Sequence, residues 1–143
     1  MKLDRDALLH AFRGVRNTTE RLAEPLTAED QMMQSMPACS PTKWHRAHTT
    51  WFFETFVLAP RGMAPFEPRW GTLFNSYYVA IGPRHARPQR GLLSRPTLEE
   101  IGDYRRFVDA RVTDLITQLD EPALATLAPT ITLGIAHEEQ HQE

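Results

Sequence analysis

The chain has 143 residues, a net charge of −2 and 41% hydrophobic residues, which suits one domain with one apolar core. This composition leaves no basic patch for nucleic acid or an anionic membrane surface, and no apolar run approaches the roughly 20 residues that span a bilayer. Asp4 and Asp6 stand where an export signal would be basic and then apolar, so a cytoplasmic location is expected.

In chain order, residues 4–24 read as an amphipathic helix, with Leu8, Phe12, Val15, Thr19 and Leu22 at three-to-four spacing and Pro25 beyond the end. Residues 26–39 carry no clear period, and Met32, Met33 and Met36 are expected to fill irregular parts of the core. Ser40-Pro41 is a helix-start signal, serine as the cap and proline in the first turn. That helix is predicted from Pro41 to about Leu58, with Trp44, His48, Trp51 and Thr55 on one stripe, and with so little polar surface that it should be buried on more than one side. Residues 60–96 are rich in proline and glycine, with no regular element longer than a turn expected. A connection of that length either builds a site or docks on something else. Thr97-Leu98-Glu99-Glu100 is a capping box opening a helix to about Leu119, with Ile101, Tyr104, Val108, Val112, Leu115 and Leu119 inward. Pro122–Leu127 is expected to form one turn, and a last helix to run from Ile131 to Glu143 after Pro129. The fold class is all-α, a four-helix bundle in antiparallel order with a long irregular second connection.

The single cysteine, Cys39, forbids an internal disulfide and a multi-thiolate zinc site, and reads as a small buried or loop thiol. Six histidines make imidazole the available metal ligand. His137 and His141 stand four apart, which places both rings on one helix face, one turn apart. Glu138 between them invites comparison with the His-Glu-x-x-His protease motif, but the helix leaves no room for a downstream ligand, so a protease is not expected. His48 shares its stripe with Trp44 and Trp51 and points into the bundle. On its own it reads as a core histidine; opposite an inward i,i+4 pair it reads as a third ligand. Three neutral imidazoles leave positions open on the ion, which suits an iron site that takes substrate or dioxygen and equally a zinc site with one water. Ligand type does not choose between iron, zinc and nickel. His45 could stand behind the ligands or on the surface and is read as surface, His10 is read as solvated or partly packed, and His85 lies in an arginine-rich loop where it could assist anion binding.

Three segments carry a specific resemblance. Residues 41–54, PTKWHRAHTTWFFE, resemble the first ligand helix of the ergothioneine-biosynthesis sulfoxide synthases. Residues 74–78, FNSYY, and 82–97, GPRHARPQRGLLSRPT, look like the loop of that family, and residues 137–143, HEEQHQE, look like its second ligand helix. The resemblance implies a DinB-like four-helix bundle holding non-haem iron(II), Fe(2+), by His48, His137 and His141. It implies an oxygen-dependent reaction joining the sulfur of cysteine, or of gamma-glutamylcysteine, to the imidazole carbon of hercynine as a sulfoxide, with cysteine the preferred thiol. Gln140 matches the residue that contacts the hercynine imidazole, and Tyr77 and Tyr78 match an adjacent pair of active-site phenols. The Arg84, Arg87, Arg90 and Arg95 cluster could bind a substrate carboxylate bidentately. The family has a second, C-terminal domain resembling the formylglycine-generating enzyme, and this chain is expected to pack on such a domain and to be inactive without it. Two other readings stay open: a zinc-type thiol-dependent transferase on the same bundle, and a non-catalytic bundle module.

Overall fold

The computed structural model describes residues 4–75, 86–92 and 95–143. Tyr77, Tyr78, Arg84 and His85 therefore lie outside the described residues. All regular structure among the described residues is helical. Helix α1, Arg5–Ala23, is capped by the Asp4 carboxylate, which accepts from the Ala7 N–H. Leu8, Phe12 and Val15 face inward as the spacing predicts, but Leu22 is exposed. The stripe advances by four residues at its end, from Thr19 to Ala23, and so bypasses Leu22.

The aperiodic stretch after α1 holds a short helix, α2, Ala28–Met32, closed by a capping box between Thr27 and Asp30. Met33 and Met36 do not fill the core: both are exposed, because α2 is too short to fold them under the bundle. Cys39 is also exposed.

Helix α3, Thr42–Phe53, is buried along almost its whole length. Ser40 does not cap it. Its hydroxyl accepts from the Arg90 guanidinium instead, and Pro41 precedes the first turn without a side-chain cap. The helix then widens into a π turn, Glu54–Leu58, tightens into a 3-10 turn, Ala59–Arg61, and stops at Gly62, whose φ of 81° is the left-handed conformation that glycine adopts freely. The connection that follows is not wholly irregular. A short helix, α4, Trp70–Phe74, buries both of its terminal aromatics, and residues Arg87–Leu92 form a 3-10 turn.

Helix α5, Leu98–Gln118, starts at the predicted capping box of Thr97 and Glu100. Ile101, Tyr104, Val108, Val112 and Ile116 form its buried stripe, while Leu115 and Leu119 are half-buried against the core. The expected break at Pro122–Leu127 and restart at Ile131 do not occur. A single helix, α6, runs Glu121–Gln142 with Pro129 inside it. Asp120 caps this helix through the Ala123 N–H, Pro122 lies in the first turn where its missing N–H costs nothing, and packing of Leu124 and Ile131 on either side of Pro129 holds the helix through it.

The long helices form a ring in which α1 packs on α5 and α6, and α3 packs on α5 and α6. Arg5 reaches the Ile116 carbonyl while Arg16 reaches Asp109, so α1 and α5 are antiparallel. His45 meets His141, His48 meets His137, and Phe53 meets Gly134, so α3 and α6 are antiparallel too. Arg16 meets Glu138 and Thr19 meets Gln142, so α1 and α6 ascend together. It follows that α3 and α5 run the same way, and the order is not strictly alternating. The connection after α3 is long because it must return along the bundle before α5 can begin. No helix of the described residues is long and apolar enough to cross a membrane.

Candidate metal centre

The first turns of α3 and the last turns of α6 meet at one end of the bundle, and there His48, His137 and His141 converge. Each offers a ring nitrogen, and the three nitrogens lie within 4.8 Å of one another. The His48 and His137 Nε2 atoms are 3.1 Å apart. The close crossing is set one turn away by Gly134: a Cβ there would lie 2.5 Å from the Phe53 ring.

Each ring is held in place. Trp44 and Trp51, four residues before and three after His48, stack on its two faces, with centroids at 4.4 and 5.5 Å and interplanar angles of 12° and 14°. The His48 Nδ1 lies 2.5 Å from the Phe74 carbonyl at the end of α4. A carbonyl only accepts, so Nδ1 carries the proton and Nε2 presents a lone pair toward His137. Phe52 stacks on His137 at 4.5 Å. Beyond Trp44, the Arg90 guanidinium sits 3.6 Å from the indole ring centre.

All three rings are held neutral. Burial lowers the His48 pKa well below the ordinary value, against the raising effect of the Phe74 carbonyl. Burial, with the neighbouring His141, brings His137 to about 4. Burial also lowers His141, and Arg90 acts in the same direction. Near neutral pH the three rings are therefore neutral, the buried Glu138 carboxylate behind them opposing the shift at His137 and His141 without reversing it.

This donor set fits a metal ion. Two nitrogens bound to one ion at ~2.1 Å, with an angle of about 90–110° between them, are ~3.0–3.4 Å apart, which brackets the His48–His137 separation. His137 Nδ1 is buried with no hydrogen-bond partner among the described residues, whichever ring nitrogen carries the proton.

Glu138 does not face the histidines and cannot serve as a base beside them. It is fully buried on the opposite side of α6. Arg16 Nη1 donates to its Oε1 at 2.7 Å, Arg105 Nη2 to its Oε2 at 3.1 Å, and the Thr19 hydroxyl to its Oε2 at 2.5 Å. Burial would raise its pKa, but the two guanidiniums outweigh that and hold it below the ordinary range. Arg16 also donates to Thr50 and Asp109, and Arg105 pairs with Glu20. Arg16, Thr50, Arg105 and Glu138 thus form a polar layer with one member from each long helix, directly behind the histidines. Sequence reasoning missed both arginines, since a charged residue on an amphipathic helix reads as solvent-facing.

The remaining predicted groups divide. His45 is a correction: it is not a surface residue, and its Nδ1 lies 2.9 Å from His141 Nδ1. The His45–His141 spacing across helices carried no signal in the chain. Arg90 is buried on Trp44 and Ser40. Arg87 is half-buried, and its carbonyl accepts from Gln34. Gln140 is exposed near the end of α6, and His10 is exposed on α1.

A model of the DinB superfamily matches residues 11–143, nearly the whole chain. The chain belongs to the DinB superfamily. No curated protein matches it. As a DinB domain it places its candidate ligands on the second and last of its four long helices, so the metal centre depends on packing between helices distant in sequence.

Proposed function

We propose that this DinB domain is the metal-binding part of an oxygen-dependent sulfoxide synthase of ergothioneine biosynthesis, with iron(II) held by His48, His137 and His141. The observation that carries the reading is the convergence of three neutral imidazoles within 4.8 Å. Iron(II) at that point would supply the open positions at which a thiol, an imidazole and dioxygen are brought together.

The chain's own residues have defined tasks in this reading. Trp44 and Trp51 clamp the His48 ring and exclude water from both its faces. The Phe74 carbonyl fixes its tautomer. Gln140, on the exposed face of the last α6 turn, would hydrogen-bond the imidazole of hercynine. Arg84, Arg87 and Arg90 would bind a substrate carboxylate, Arg90 being the one whose guanidinium is already fixed, on Trp44 and Ser40. A phenol at Tyr77 or Tyr78 would hold and release a proton beside the reacting groups. A second domain would close over the histidine end of the bundle. The superfamily and the cluster support a divalent-metal centre; the narrower choice of iron and of cysteine and hercynine as substrates rests on the similarity of residues 41–54, 74–97 and 137–143.

The all-nitrogen donor set suits zinc equally, which favours one other reading, a zinc-type thiol-dependent transferase. Anaerobic reconstitution with iron(II), followed by cysteine, hercynine and dioxygen, separates the two. The chain alone should bind iron(II), and oxygen uptake with formation of a hercynylcysteine sulfoxide, abolished in His137→Ala, is the expected result once a second domain of that family is joined to it. Stoichiometric zinc in the purified protein, with thiol transfer and no oxygen uptake, would replace it.

A further inference from the structure

His45 is a fourth imidazole at the histidine end of the bundle, outside the three-nitrogen cluster. It sits on α3 one turn before His48, and its Nδ1 lies 2.9 Å from the Nδ1 of His141. Two ring nitrogens at this distance share one proton, so one ring is the donor and the other the acceptor. The His141 Nδ1 is turned to His45, so Nε2 is the nitrogen left to ligate. A ligating Nε2 needs its lone pair, so the single proton of neutral His141 sits on Nδ1 and the His45 Nδ1 accepts it.

We infer that His45 is a positioning residue: by accepting the His141 Nδ1–H it fixes the His141 tautomer with Nε2 free to ligate, as the Phe74 carbonyl does for His48. This inference rests on the metal centre proposed above. His45 stands outside the group of nitrogens within 4.8 Å of one another, so it is not itself a ligand in this arrangement.

Asparagine can place its Oδ1 where histidine has Nδ1, so His45→Asn retains an acceptor and His45→Leu removes it. Long-range proton–nitrogen NMR of the metal-free protein should show His141 protonated at Nδ1 in the native chain and in His45→Asn, and shifted toward the Nε2-protonated form in His45→Leu. Titration with cobalt(II) alone, read by its visible absorption, should show affinity about 10–100-fold weaker in His45→Leu and within roughly threefold of native in His45→Asn. Circular dichroism and melting confirm that both variants are folded. An unchanged His141 tautomer in folded His45→Leu overturns the inference. Equal loss of cobalt affinity in both variants also overturns it, and makes His45 a ligand. A native chain that binds no cobalt at all would sink the metal centre, while the NMR arm would still decide the role of His45.

Discussion

Two polar clusters lie back to back across α6, and adjacent residues of one helix turn carry them. Glu138 enters a layer in which each charge has an opposite charge or a hydroxyl at hydrogen-bond distance. His137 enters a cluster in which three neutral rings point lone pairs at a shared space. Glu138 is fully buried and the histidine cluster partly so, and both join helices far apart in sequence. The first pairs its charges with protein atoms; the second gathers three ring nitrogens that could hold an ion. A buried polar group satisfied by its neighbours reads as architecture, and one left unsatisfied among like groups reads as a site.

The contrast can be broken at several points. The largest effect is expected from Glu138→Ala, which leaves Arg16 and Arg105 buried and uncompensated. Urea unfolding should show a loss of about 3–5 kcal/mol, with or without added metal. A loss below about 1 kcal/mol would remove the architectural role of that layer. Next is His137→Ala. The native protein, at a metal concentration near 100 times its dissociation constant, should gain about 2.7 kcal/mol, or roughly 8 °C in melting temperature. The variant should show no rise while its metal-free stability stays closer to native than that of Glu138→Ala. Gly134→Ala sharpens the comparison by pushing on both clusters together. Its methyl meets the fully buried Phe53 ring, so a cost of about 1–3 kcal/mol and a weakened metal response should appear in the same melts.

The smallest effect lies away from both clusters, at Glu54. Its carboxylate accepts from the Tyr104 hydroxyl at 2.7 Å and from the Phe66 N–H at 2.9 Å. Burial nonetheless raises its pKa above the ordinary value, outweighing those two bonds. The native state keeps this proton after the unfolded chain has lost it. The contribution is therefore fully present below the unfolded pKa and is lost as pH rises through the native one. Glu54→Gln cannot ionise, so its stability relative to native should improve between pH 4 and pH 7. A difference that stays flat over that range would contradict the assignment.

Much of the bundle was legible because it follows local rules. The capping box at Thr97, the three-to-four spacing of α1 and α5, and the i,i+4 pair on α6 each act within one or two turns. What was missed depends on distance. Pro129 reads as a helix break, yet packing of α6 on its neighbours outweighs one lost backbone bond. Arg16 reads as solvated because its partner Glu138 lies 122 residues away. His45 reads as exposed because nothing within α3 announces His141. The short α2 lacks a period, although Thr27 and Asp30 carry a capping signal that could have found it. For the site, the three ligand candidates came from spacing and from the resemblance, while the groups that orient them, the Phe74 carbonyl and His45, came from tertiary placement.

The His48–His137 contact spans 89 residues of chain. Neither α6 alone nor α3 alone contains the three rings, so an ion gripped by all of them reports that the two helices have docked, not merely that they have formed. Chelation and global unfolding are then one linked equilibrium, and a spectroscopic metal titrated into a denaturation series would serve as a direct gauge of tertiary assembly.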